Sequence, residues 1–140
     1  MQQRVEPLSG DVAEDIAAKR CWVLGHYEPG TEGDYQSIEG KLLLLETILN
    51  NKWIDQTETV KLQCLGVTFG DLLVQAAGLK WVIVEDEYGR DAALHLEGTS
   101  IKSFPLTSIS KRVEAGERVD VRALFQSACE NIARIRQQAT

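Results

Sequence analysis

A cluster of carboxylates is the first feature of the sequence that could do chemistry. Glu85, Asp86, Glu87 and Asp91 fall within the stretch VEDEYGRD, between two apolar runs. Carboxylates at this density could hold a cation, but a calcium loop sets its acids at alternate positions and ends on a glutamate, a pattern that this stretch lacks. A glycosidase-like pair must face each other across a cleft, whereas the side chains of a tight bend fan outward. We therefore predict neither a metal site nor a catalytic site here.

The same stretch is typical of an exposed hairpin turn. Apolar and polar residues alternate before it in KWVIV (80–84) and after it in AALHL (92–96), as in two paired strands. Asp86 to Arg90 would form the turn, with Gly89 at the position that favours a positive φ. Such a turn would present acids and the Tyr88 ring to a basic partner.

Two cations farther along the chain could instead pair with this turn and pin a short helix against the sheet. These are Lys111 and Arg112, which lie in a run of mixed charge typical of a solvated surface. The predicted partner-binding residues are therefore Glu85, Asp86, Glu87, Tyr88, Arg90, Lys111 and Arg112.

The other residues with reactive side chains do not form a recognisable motif. His26 and His95 are separated by unlike sequence, and neither accompanies a G-x-S-x-G serine or a nucleophilic cysteine context. Cys21, Cys64 and Cys129 are widely spaced without a C-x-x-C pair, so we interpret them as small apolar core residues. The sequence contains no G-x-G-x-x-G or Walker A stretch. We predict no catalytic residues, no metal and no cofactor.

Helical periodicity predicts the elements that come before the hairpin. A first helix would follow Ser9 as N-cap and end before Gly25, and a second would begin near Tyr35, so the N-terminal helices occupy 9–52. The second helix carries an apolar stripe, with Lys41 among the polar residues off it. A third helix would open at Thr57 and end at Gly78.

Two glycines inside the third helix, Gly66 and Gly70, each cost about 1 kcal/mol relative to alanine. They lie one turn apart, so we expect another backbone or side chain to approach the helix closely there.

The remaining sequence completes an α+β prediction. After the third helix we predict a three-stranded antiparallel meander at 80–84, 92–96 and 100–104. Pro105 would begin a short helix that Gly116 stops, and Asp120 would cap a C-terminal helix. We predict a single domain over residues 1–140.

Charge and hydropathy exclude several classes of protein. The 140-residue chain has a formal net charge of -6, whereas phosphate neutralisation by a nucleic-acid-binding protein needs a clustered basic surface. Its longest apolar run, LLLLETIL, contains Glu46 and is too short to cross a bilayer. The N-terminal stretch is charged and lacks the apolar region of a secretory signal. We expect a cytoplasmic protein that binds neither nucleic acid nor membrane.

From Leu65 onward the chain resembles an uncharacterised bacterial family, the domain of unknown function DUF3806. The resemblance is carried by LGVTFGDLL, by WVIVEDEYGRDAALHL and by GTSIKSFPLTSISKRVEAGERVDVRALF. It implies a helix with paired glycines, a strand led by tryptophan, a D-E-Y-G turn and a P-L-x-x-I-S-K-R-V-E segment. The family-like region covers about 57–137. The family has no agreed activity, so the resemblance implies kinship and no function.

Two functional hypotheses follow. The first is a non-enzymatic protein-binding module with an acidic surface, such as an immunity-type or chaperone-like partner of a basic bacterial protein. The alternative is a small-ligand binder or enzyme whose pocket lies between the N-terminal helices and the sheet, lined by Tyr88, Arg90, His95 and Lys111. A homodimer through an exposed sheet edge is a further expectation.

Overall fold

The fold is α+β, as the sequence predicts. The computed structural model describes residues 3–99 and 102–139. In chain order the elements are β1 (Arg4–Pro7), α1 (Gly10–Leu24), a 3-10 helix (Glu32–Gln36), α2 (Ile38–Asn50), α3 (Thr59–Ala77), β2 (Lys80–Asp86), β3 (Gly89–His95), β4 (Lys102–Ser103), α4 (Leu106–Glu114) and α5 (Val121–Ala139).

The sheet has one more strand than the predicted meander. Its order is β1-β2-β3-β4, and every neighbouring pair is antiparallel. Strand β1 has only four residues, two of them charged, so no apolar alternation marks it in the sequence. It pairs with β2 from Arg4 opposite Glu85 to Pro7 opposite Val82. Of the third predicted strand, residues 102 and 103 form β4, and residues 100 and 101 lie outside the described residues.

Helix α3 is the centre of the core. Leu62, Leu65 and Leu72 are fully buried, and they belong to a cluster that also takes in residues of the other helices and of β3. Directly opposite residues on paired strands share a face, so Trp81 and Leu94 point together toward this cluster. Val82, Val84 and Ala93 form a separate small buried cluster. They alternate with the core-facing residues, so they lie on the opposite face of the sheet.

The paired glycines allow the close approach that the sequence predicts. A Cβ on Gly66 would lie 2.6 Å from the backbone of Leu106, at the start of α4. A Cβ on Gly70 would collide with the Trp81 ring. Helix α3 can therefore touch both α4 and β2 because these two positions have no side chain.

Some predicted positions are wrong. Lys41, expected on the polar side of α2, is only 4% exposed because its ammonium group donates to Gln75 Oε1 at 2.5 Å. Cys21 is exposed rather than in the core, whereas Cys64 is buried and Cys129 is half-buried.

No helix within the described residues is both long and apolar enough to cross a lipid bilayer.

Candidate functional site

The acidic stretch forms a tight two-residue turn. Strands β2 and β3 pair without interruption as far as Asp86 opposite Gly89, which leaves only Glu87 and Tyr88 to connect them. The Asp86 carboxylate accepts a hydrogen bond from the Tyr88 backbone N–H at 2.8 Å, and Gly89 has a φ of 135°. The turn is therefore held in one conformation by its own backbone and by the strands on either side.

The tip of this hairpin is open to solvent. Tyr88 is 89% exposed, the highest value among the exposed large hydrophobic residues described. Glu87 and Asp91 are also exposed, and within residues 3–99 and 102–139 neither side chain forms a hydrogen bond or ion pair. We call Glu87, Tyr88 and Asp91 the hairpin tip.

The base of the hairpin is an ion-paired ladder across three strands. Arg4 of β1 donates to Glu85 at 2.7 Å, and the two residues are directly opposite in the strand register. Arg90 of β3 lies 3.6 Å from Glu6 of β1. Two of the predicted contact residues, Glu85 and Arg90, are therefore already engaged within the protein. Strand β1, which the sequence did not reveal, supplies their partners.

The predicted cations of α4 do not join the hairpin. The Arg112 guanidinium donates to the backbone oxygen of Ser108, one turn earlier in its own helix, at 2.7 Å. Among the described residues, neither Lys111 nor Arg112 forms an ion pair with an acid of the turn. The pairing proposed from charge alone is absent.

The two histidines lie in local contacts. His26 Nδ1 lies 2.9 Å from the backbone oxygen of Trp22, and its ring stacks on that of Trp53. His95 Nε2 lies 2.9 Å from the backbone oxygen of Thr99. Within the described part of the chain, no group of three or more His, Cys, Asp or Glu side chains could hold a metal ion.

A half-buried polar hub, absent from the sequence prediction, surrounds Asp71 of α3. Its carboxylate accepts hydrogen bonds from Arg20 Nε at 2.7 Å and Nη2 at 2.9 Å, from the Tyr35 hydroxyl at 2.5 Å and from the Trp81 indole N–H at 2.9 Å. These donors come from α1, the 3-10 helix and β2. One carboxylate thus ties three separate elements to α3.

The hub shifts the pKa values of its members. Burial disfavours the charge on Asp71, but the hydrogen bonds from Arg20, Tyr35 and Trp81 outweigh it and hold the pKa of this carboxyl below its usual 3.8. Burial, together with the neighbouring Asp71 charge, raises the pKa of Tyr35. Burial also lowers the pKa of Lys41, whose ammonium group lies over the Tyr35 ring. The hub is a stabilised anion with its acceptor positions occupied, which suits a structural role.

Two concave regions differ from the pocket predicted from sequence. A crevice of about 200 Å³ lies between α3, α5 and the sheet and is mainly apolar. A larger cleft of about 660 Å³ lies between the loop that follows α2 and the loop that joins α4 to α5. None of Tyr88, Arg90, His95 and Lys111 lines either one. The predicted pocket between the N-terminal helices and the sheet stays a prediction.

Comparison with known protein families identifies the family of this chain. The model of the domain of unknown function DUF3806 matches residues 41–125. The protein belongs to the DUF3806 family. The match begins earlier than the resemblance seen in the sequence, within α2, and it ends within α5. The hairpin, Asp71 and the whole lining of the larger cleft lie inside the DUF3806 match, whereas β1 and α1 lie outside it.

The fold of this DUF3806 protein is similar to a solved structure. A crystal structure from Bacteroides thetaiotaomicron VPI-5482 superimposes with a TM-score of 0.79 at 18% sequence identity. The alignment covers 94% of this chain and 48% of the other, so this chain spans about half the length of that relative. The likeness shows a shared fold. No curated protein matches this chain.

Proposed function

We propose that this DUF3806 protein is a non-enzymatic binding module that docks a basic surface of another protein on its hairpin tip. The observation that carries the proposal is the 89% exposure of Tyr88 on a turn whose conformation is already fixed. Tyrosine is enriched among the residues that dominate protein interfaces. The paired strands and the hydrogen bond between Asp86 and Tyr88 restrain the backbone of the turn, which reduces the backbone entropy lost on binding.

Charge supports a basic partner. Glu87 precedes Tyr88 in the turn and Asp91 follows in β3, opposite Val84; neither acid has an internal partner among the described residues, and the chain carries a net charge of -6. Unpaired acids around an aromatic anchor attract a cationic surface and speed its encounter, an effect that salt screens. An immunity-type or chaperone-like partner of a basic bacterial protein fits this description. The three free cysteines support a reducing compartment, and we place the protein in the bacterial cytoplasm as part of the same proposal.

The chemistry of the buried groups supports binding rather than catalysis. The strongest cluster of ionisable side chains is the Asp71 hub, where the carboxylate already accepts four hydrogen bonds. A general base needs a free lone pair within reach of a substrate proton. The hub therefore has a structural role, and the exposed hairpin tip is the better candidate for binding.

The short edge strands of the sheet disfavour a homodimer that forms by strand pairing. Of the two edge strands, β1 has four residues and ends in Pro7, and β4 has two within the residues that the structure describes. Short edges with charge or proline offer few backbone groups for pairing with another chain. A homodimer through these edges is therefore a weaker proposal than docking at the hairpin tip.

Photo-crosslinking in the native host tests the proposal. A benzophenone amino acid at position 88 should form one discrete adduct with a basic protein, and Glu87→Lys combined with Asp91→Lys should abolish that adduct. The matched control places the same group at Val60, which is 66% exposed on α3. Equal adducts at both positions, or an adduct at position 88 that survives the charge reversal, would refute docking at the tip.

A further inference from the structure

The larger cleft combines an apolar floor with charged residues of both signs. Ile48 and Ile54 are buried in its floor, and Val113 and Val119 are half-buried there. Its volume of about 660 Å³ falls within the range of small-ligand sites. The cleft is separate from the hairpin tip, because none of the three tip residues lines it.

The charges around this cleft are not paired with one another. Lys52, Asp55, Glu117 and Arg118 line it, yet no ion pair joins the two cations to the two acids within the described residues. Elsewhere the protein pairs opposite charges across elements, as in Arg122 with Glu39 and Glu46. Two cations and two carboxylates that share a cleft without contact leave room for a group that carries both charges.

The loop between α2 and α3, on one side of the cleft, is held by hydrogen bonds near both of its ends. Lys52 has a φ of 52°, which is uncommon for a residue other than glycine. Backbone hydrogen bonds from Lys52 to Leu49 and from Trp53 to Ile48 hold this turn. The Glu58 carboxylate accepts a hydrogen bond from the Asp55 N–H, and the Asp55 carboxylate accepts one from the Thr57 N–H, so side chains of the loop also hold the segment that leads into α3. Lys52 takes the left-handed conformation that commonly follows a helix C-terminus, here that of α2.

The other side is built from the end of α4. Gly116 has a φ of 79°, and the Glu117 N–H donates back to the Arg112 carbonyl at 3.0 Å. Helices α2 and α4 both end next to the cleft, at Asn50 and Glu114.

We propose that this cleft binds a short apolar peptide with free termini. The apolar side chains would lie on the half-buried Leu49, Val113 and Val119, with the ammonium group toward Glu117 and the carboxylate toward Lys52 and Arg118. This site is independent of docking at the hairpin tip.

Titration of the whole protein with the tripeptide Leu-Leu-Leu, followed by amide NMR spectra, tests this site. Binding at about millimolar strength or tighter is expected, with shifts at residues 52–56 and 116–119. The matched ligand is the same tripeptide with acetylated and amidated ends, which should bind about fivefold or more weakly because both terminal charge contacts are lost. Equal affinity for the two peptides, shifts confined to other residues, or no shift at millimolar peptide would overturn the proposal.

Variants of the charged residues separate the two ends of the ligand. Glu117→Gln should remove the preference for a free amino terminus, and Lys52→Gln combined with Arg118→Gln should remove the preference for a free carboxylate. Lys80→Gln, on β2 outside the cleft, should bind as the wild type does. Tyr88→Ala should also leave peptide binding unchanged, which separates this proposal from docking at the hairpin tip. Loss of both preferences in Lys80→Gln would contradict the assignment.

Discussion

At the scale of single residues, Asp71 contributes most to holding separate parts of the chain together. It lies in an apolar helix beside Gly70, and its partners Arg20, Tyr35 and Trp81 come from distant parts of the sequence. The sequence shows a polar residue at position 71, but it gives no information about which side chains contact that residue. The sequence therefore could not predict the hub, although it correctly predicted the helix that carries it.

Asp71→Asn should destabilise the protein by about 2–4 kcal/mol, because it leaves the half-buried Arg20 guanidinium without its counter-charge. Urea unfolding at pH 7 measures the change, and Glu97→Gln, an exposed acid in a turn, is the control. The asparagine variant unfolding at the wild-type midpoint would show that the hub contributes little.

The same pair of proteins has a defined pH dependence. The folded-state pKa of Asp71 is below 3.8, so its contribution is fully present above that value and is lost as pH falls through the folded pKa. The difference in unfolding free energy between wild type and Asp71→Asn should therefore stay constant from pH 7 to about pH 5 and shrink in stronger acid. A difference that grows on acidification would contradict the depressed pKa.

At the scale of elements, α3 is the part of the fold that the sequence predicts best. Its C-terminal Gly78 and the close approach at Gly66 and Gly70 are both confirmed. These features are local, because one helix and its missing side chains specify them. Strand β1 is the opposite case, since four residues with two charges become a strand only through pairing with β2.

Gly66→Ala tests the contact between α3 and α4. The added Cβ would lie 2.6 Å from the Leu106 backbone, so α4 must move, and we expect a loss of about 1–3 kcal/mol despite the better helix propensity of alanine. Gly33→Ala is the matched control, because a Cβ at Gly33 meets nothing within 4 Å. Thermal unfolding measures both. Stabilisation of Gly66→Ala would mean that the helices are not in close contact.

At the scale of the whole molecule, the acidic hairpin was predicted from sequence and its surroundings were not. The hairpin and the exposure of Tyr88 follow from local alternation and from Gly89, but the turn consists of Glu87 and Tyr88 rather than the predicted Asp86 to Arg90, because the strands stay paired as far as Asp86 opposite Gly89. The ion pairs that occupy Glu85 and Arg90 depend on β1, which folds back from the start of the chain. The larger cleft likewise joins loops near residues 52 and 117, whose proximity no local pattern encodes.

The central claim is that Tyr88 anchors a basic partner at the hairpin tip. The most direct test is the dissociation constant of the crosslinked partner for wild type and for Tyr88→Ala, each at low and high salt. We predict binding weaker by about tenfold or more in the alanine variant, with salt weakening both complexes. Equal affinity of the two proteins, without salt dependence, would contradict docking of a basic partner at the hairpin tip.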